Sequence, residues 1–196
     1  MDVSTVEGVK ALYTAFSERE IKLDILVNNA GAAWGWQFDT FPESGWDKVI
    51  DLNLKSPFFL TQAFAPALRA AAQPDRLAKV INITSVDGFM VNPLETYSYG
   101  ASKAGLVHMT KRLSLRLIKD NIAVTSIAPG AFASEMNKAA RDESEKIAKV
   151  VPAGRVGRDE DMAAAAVYLA SRAGDYVVGQ TLIVDGGVSI VHADFL

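Results

Sequence analysis

The sequence predicts an α/β fold built on a doubly wound parallel sheet, and three observations lead there. Short apolar runs alternate along the chain with longer segments of helical periodicity. Each apolar run ends in Asn, Ser, Pro or Gly, residues suited to turns. The run from Leu23 to Val27 is continuous rather than alternating, as expected of a strand covered by helices on both faces.

Composition narrows the class. A chain of 196 residues with 49% apolar and 22% charged residues has enough material for one ordinary core, so residues 1–196 are expected to form a single domain. The apolar runs fall short of the ~20 residues that a membrane span needs. The start, Met1-Asp2-Val3-Ser4, lacks the basic and apolar regions of a signal peptide, which makes the cytoplasm the expected location. With no cysteine, disulfides and thiolate catalysis are excluded. A net charge of -3 with both signs intermixed offers no field for nucleic acid or an anionic membrane, and a small molecule is the expected partner.

In chain order, Val6, Val9, Leu12, Tyr13 and Phe16 mark a helix over Thr5 to Glu18, and the strand Leu23 to Val27 ends at Asn28-Asn29-Ala30-Gly31. From Pro42 to about Ala72 the pattern is helical, contains Asn53, and is expected to break near Ser56-Pro57. A strand from Lys79 to Ile83 closes at Thr84-Ser85. The next helix bears Tyr99 and Lys103 and continues to about Lys119, with Leu106, Met109, Leu113 and Leu117 as its apolar positions. Ile122 to Ile127 form a strand stopped by Ala128-Pro129-Gly130, and the charged stretch from Ser134 to Arg158 is expected to be mobile. A helix begins near Asp159-Glu160-Asp161, acids that suit a helix N-terminus. The last strand, Gln180 to Val184, closes at Asp185-Gly186-Gly187.

In a parallel sheet, ligands bind beyond the carboxyl ends of the strands. Asn29, Ser85 and Pro129-Gly130 stand at such ends, and Tyr99 opens the helix after one of them. Tyr99 and Lys103, four apart on a helix, share one face. A phenol with a reference pKa near ~10 exchanges protons poorly at neutral pH unless a nearby cation favours the phenolate. Each residue alone has an ordinary reading: a packed tyrosine, a surface lysine, a turn serine, a helix asparagine.

Together and in this order, they resemble the classical short-chain dehydrogenase/reductase family, and within it the 3-oxoacyl-thioester reductases. The resemblance rests on Asn28-Asn29-Ala30-Gly31, Asn53, Ser85, Tyr99 with Lys103, Pro129-Gly130 and Asp185-Gly186-Gly187, and it runs over the whole chain. It implies a Rossmann-like three-layer fold and reversible hydride transfer between NADP or NAD, with NADP favoured, and a ketone or secondary alcohol. Tyr99 would be the general acid or base. Lys103 would lower its pKa and bond the nicotinamide ribose, Ser85 would bond the substrate carbonyl, and Asn53 would hold a water that links Lys103 to solvent. The cofactor would lie against Asn29, Ala30, Gly31, Tyr99, Lys103, Pro129, Gly130, Phe132 and Ser134. The resemblance also implies a homo-oligomer, dimer or tetramer, pairing through the helices Asn53 to Ala72 and Tyr99 to Lys119, with Phe195-Leu196 suited to an interface. His108 and His192 are too isolated to propose a metal site.

The family's opening Thr-Gly-x-x-x-Gly-x-Gly loop has no match here. Asp2-Val3 resemble instead the segment whose aspartate meets the adenine, so the chain is expected to be N-terminally truncated, to expose the edge of the Asp24 to Asn28 strand, and to bind dinucleotide weakly. A non-catalytic relative or fragment that serves only as an assembly subunit is the alternative. Substrate selection would sit in Ala32 to Phe41, Asp87 to Thr96 and Ala131 to Val151; Trp34, Trp36, Phe89 and Met90 there suit an apolar pocket or ordinary packing.

Overall fold

The computed structural model describes residues 1–191, so His192 and Phe195-Leu196 lie outside the described residues. Four parallel strands stand side by side in sequence order: β1 (Ile25–Asn28), β2 (Ala78–Ile83), β3 (Ile122–Pro129) and β4 (Thr181–Val184). The register sets Leu26, Val80 and Val124 in one row and Asn28, Asn82, Ser126 and Thr181 in another.

One face of the sheet carries α1 (Val6–Ser17), α3 (Ser56–Ala71) and α4 (Tyr97–Leu117). Their contact is a core of Val9, Leu60, Phe64, Leu68, Leu117 and Ile122 with strand residues Val80 and Val124. Helix α1 forms where the apolar spacing predicts it, begun by Thr5, whose hydroxyl accepts the Gly8 N–H at 3.0 Å. Its Tyr13 and Phe16 rings meet Phe64 at 5.3 and 5.2 Å between centroids, edge-on and tilted, which gives aromatic rings a favourable contact beyond burial. The opposite face is covered by α7 (Asp159–Ala170), which buries Ala165 and Leu169 against Ile81 and Ile127.

Two expectations are corrected. β1 is not covered on both faces: it is an edge strand, and Ile25 and Val27 are 43% and 48% exposed, because α7 packs on β2, β3 and β4. The long helix does not break at Ser56-Pro57. It runs from α2 (Glu43–Ile50) into α3 through one wider π-turn, Asp51–Lys55, closed by the Ser56 N–H donating to the Asp51 carbonyl. Pro57 then falls in the first turn of α3, where its missing N–H costs little. The charged stretch 134–158 contains two short helices, α5 (Lys138–Asp142) and α6 (Ser144–Ala148). Ala140 within α5 and Val151 beyond α6 are buried, and the Asn137 side chain accepts the Ala140 N–H at 3.1 Å.

Candidate active site

The site is assembled where β1 and β2 stop and α4 starts. At the end of β2, the Thr84 hydroxyl donates to the Ile127 carbonyl at 2.8 Å, which fixes where Ser85 leaves the sheet. Ser85 begins the tight turn Val86–Gly88, and its oxygen accepts the Asp87 N–H at 3.2 Å. The hydroxyl proton is thus left for another acceptor. Gly88 brings this turn against the helix backbone: a Cβ there would lie 3.0 Å from the Lys103 carbonyl carbon, closer than side chains normally approach. That close packing holds Ser85 beside Tyr99.

Lys103 is 5% exposed. Its ammonium donates to the Ile83 carbonyl at 2.9 Å and lies 5.6 Å from the centre of the Tyr99 ring. Burial brings its pKa down to about 8. The Tyr99 phenol is raised above its ordinary value, first by burial; the neighbouring Ser85 hydroxyl favours the phenolate, and the Asp87 carboxylate opposes it. The expectation that Lys103 holds the phenol below its ordinary value is therefore corrected. Desolvation of Tyr99 dominates, and the lysine charge is turned to a carbonyl and itself weakened by burial.

Asn53 sits in the π-turn and is 1% exposed. Its side chain accepts the Ala32 N–H at 2.8 Å, donates to the Ala32 carbonyl at 2.9 Å, and donates to Ser102 Oγ at 3.0 Å. Both amide hydrogens and one lone pair of the amide oxygen thus clamp the loop after β1 to α4. Gly31 lies inside the clamp: a Cβ on it would stand 3.3 Å from Asn53 Oδ1 and 3.8 Å from Lys103 Nζ. The structure thus brings together Gly31, Asn53, Ser85, Tyr99 and Lys103, with Asn29 and Ala30 leading into Gly31 from β1.

The other expected residues have contacts elsewhere. Pro129 ends β3, and Gly130 packs so closely on Asp185 that a Cβ would be 2.7 Å from it. The Phe132 ring covers Gly157 and, with Arg155, Asp161 and Asp185, lines a cavity of about 220 Å³. The Ser134 hydroxyl accepts the Asn137 N–H at 2.9 Å. Asp2 accepts the Ser4 N–H at 2.9 Å ahead of α1, and Val3 packs on the α1/α3 core. The sequence did not single out Ser102 or the aromatic cluster of Phe38, Phe41 and Tyr97, whereas the open cleft falls in the loops Ala32 to Phe41 and Asp87 to Thr96 expected to select substrate. Ser102, inside the Tyr99–Lys103 turn, receives Asn53. Phe38, Phe41 and Tyr97 form an edge-to-face cluster with 5.8 Å centroid separations. Trp36, Pro93, Leu94 and Thr96 line an open cleft of about 670 Å³ one helical turn from Tyr99. Trp34 is not part of that cleft; it packs over Gly45.

A phenol and an ammonium one turn apart, with a hydroxyl donor facing them at the carboxyl rim of a parallel sheet, define an oxidoreductase site of the tyrosine–lysine type. The chain belongs to the classical short-chain dehydrogenase/reductase family: residues 1–189 match the family model described as enoyl-(acyl carrier protein) reductase. It is 41% identical over 189 residues to the rhamnolipid-biosynthesis 3-oxoacyl-[acyl-carrier-protein] reductase of Pseudomonas aeruginosa, covering 95% of this chain and 74% of that one. It is 40% identical over 189 residues to the 2-dehydro-3-deoxy-D-gluconate 5-dehydrogenase of Dickeya dadantii, covering 95% and 73%. Among solved structures, the Pseudomonas aeruginosa RhlG/NADP active-site complex superposes with a TM-score of 0.92 at 41% identity, covering 96% of this chain and 75% of that one. A gluconate 5-dehydrogenase from Burkholderia cenocepacia in complex with NADP and tartrate gives 0.88 at 35% identity, covering 98% and 74%.

Proposed function

We propose that this protein is an NADP(H)-dependent oxidoreductase that reduces a ketone, or oxidises the corresponding secondary alcohol, with Tyr99 as general acid and base. The observation that carries this reading is the convergence of Ser85, Tyr99 and Lys103 at the start of α4, with Gly31 beside Lys103. The residues present suit the nicotinamide end of a dinucleotide: Gly31 leaves open the space that a Cβ would fill beside Lys103, and Lys103 is a buried donor. When bound, the cofactor supplies or accepts the hydride. Lys103 would hold its ribose, and Asn29, Ala30, Pro129 and Gly130 would border it.

The chain's own groups handle the oxygen. The Ser85 proton is free to bond the substrate oxygen, which stabilises the charge that grows there during reduction. Tyr99 gives that oxygen its proton, and in the reverse direction takes it back. Because burial raises the phenol, Tyr99 remains protonated through neutral pH. Reduction is therefore expected to hold across neutral pH and to fall only above the ordinary phenol value of ~10, whereas alcohol oxidation rises with pH over the same range.

Two observations support a 3-oxoacyl thioester or another ketone with an apolar chain: the name of the Pseudomonas aeruginosa relative, and the cleft walled by Trp36, Pro93 and Leu94. The protein is read as a cytoplasmic homo-oligomer, with exposed Phe58 on α3 and Leu115 on α4 available for pairing. A second reading, a non-catalytic chain that associates through β1, draws on the exposed Ile25 and Val27 at the sheet edge. The deciding assay follows loss of NADPH or NADH absorbance at millimolar cofactor with 3-oxoacyl thioesters and simple ketones. Turnover that prefers NADPH supports the first reading; no turnover with any of them supports the second.

A further inference from the structure

Between Tyr99 and Lys103, only Ser102 has a polar side chain, and it is fully buried. Its hydroxyl has one proton, which it donates to the Tyr99 carbonyl at 2.7 Å. In an α-helix that carbonyl also takes the N–H four residues on, here that of Lys103, so the hydroxyl rests on the peptide group that spaces the two residues. The Ser102 oxygen in turn accepts the Asn53 amide at 3.0 Å. The same Asn53 side chain holds the Ala32 N–H at 2.8 Å and the Ala32 carbonyl at 2.9 Å. Ala32 follows Gly31, where a Cβ would stand 3.8 Å from Lys103 Nζ. Ser102 is thus the joint between the loop after β1 and the turn that carries Tyr99 and Lys103. Ser114, further along α4, makes the same kind of backbone bond, to the Lys111 carbonyl at 2.8 Å, but among the described residues no side chain donates to it. The second bond sets Ser102 apart from a serine that only packs.

We infer that Ser102 is a positioning residue: acting through Asn53 and the Tyr99 backbone, its hydroxyl fixes the first turn of α4 against the loop after β1, so that Tyr99 and Gly31 keep one spacing. The inference rests on Tyr99 being the acid and base of the site. Without the hydroxyl, one buried Asn53 N–H loses its acceptor, and the tie between the two elements goes with it. A hydroxyl that bonds back to a helix carbonyl also bends the helix slightly, so its loss changes where the Tyr99 turn points as well as how firmly it is held. Reactions between held groups are sensitive on that scale, since a displacement of about 1 Å can cost about 10²-fold in rate.

The test compares the full chain with Ser102→Ala and with Ser102→Cys, whose sulfur fills the space but bonds weakly; either variant suffices if the other fails to fold. Amide hydrogen exchange at Ala32, referred to Val80 in the core of the sheet, reads the joint without turnover. NADPH-dependent ketone reduction reads kcat and KM separately. The expected result is that Ala32 exchanges about ten-fold faster in the variants while Val80 does not. With it, kcat falls about ten- to hundred-fold and the KM for the ketone stays within about two-fold of wild type. A serine that only packs the helix would lower Tm and move neither the Ala32 exchange nor kcat. Ala32 exchange at the wild-type rate in the variants therefore overturns the inference, as does a wild-type kcat. If wild type itself reduces no ketone, the functional reading fails, and the exchange at Ala32 alone decides Ser102: faster exchange upholds the joint and unchanged exchange overturns it.

Discussion

Two rows of side chains cross the same face of the sheet one strand period apart, and they do opposite work. Leu26, Val80 and Val124 pack into the core with Leu68 and Phe64. Two residues further along each strand, Asn28, Asn82, Ser126 and Thr181 form a polar row. In that row Asn28 donates to Asn82 Oδ1 at 2.8 Å, Asn82 donates to the Thr110 hydroxyl at 2.9 Å, and the Ser126 and Thr181 hydroxyls share a bond of 2.7 Å. The apolar row stabilises without direction. The polar row has direction, since a buried amide must find particular partners. It ties the strand ends to each other and to α4, and Gly31, Ser85 and Gly130 leave the sheet just beyond it. Stability is thus concentrated on the amino side of the polar row and chemistry on the carboxyl side.

Substitutions on the two sides are expected to separate those properties. The largest effect on folding falls at Leu68, which is fully buried in the apolar cluster. Leu68→Ala should cost about 2–5 kcal/mol in urea unfolding and leave the kcat of the surviving folded enzyme near wild type. On the other side, Ser85→Ala should lower kcat by about 10²–10³-fold through loss of a donor to the reacting oxygen, with Tm almost unchanged. Asn82 lies on the boundary and should affect both. Asn82→Ala removes the closer acceptor of the buried Asn28 amide, which keeps only the Thr61 hydroxyl at 3.3 Å, and the tie from β2 to Thr110, at about 1–3 kcal/mol of stability, and loosens the site enough to reduce kcat; a variant that lost stability alone would break the comparison. The smallest effect is far from both rows. The Asp161 carboxyl is held at about 2 by the Arg155 guanidinium and then by the Arg158 N–H. A depressed carboxyl stabilises fully above its unfolded value and loses that contribution as pH falls toward its folded one. Tm measured downward from about pH 5 should therefore fall slightly less steeply in Asp161→Asn than in wild type.

What the sequence disclosed, and what it withheld, follows the same division. Helix α1 and the inner strands announced themselves through apolar spacing, because burial against one partner imposes a period. Tyr99 and Lys103 were legible because a helix puts positions four apart on one face. The π-turn at Asp51–Lys55 was not: it changes the ladder by one residue within an unbroken helical pattern, and its reason is a tertiary contact, Asn53 with Ala32 and Ser102. The exposed edge of β1 was expected, but the bare face at Ile25 and Val27 was not, since an apolar run does not say how far the covering helix extends. The direction of the Tyr99 shift depended on burial and on Asp87, neither of which spacing records.

The central claim is that Tyr99 performs the proton transfer, and the most direct measurement is the kcat of NADPH-dependent ketone reduction by Tyr99→Phe beside wild type, with Tm recorded for both. Removal of one hydroxyl from a general acid should lower kcat by about 10²–10⁴-fold and leave Tm close to wild type. A Tyr99→Phe protein that is equally stable and reduces ketones at the wild-type rate would contradict the account.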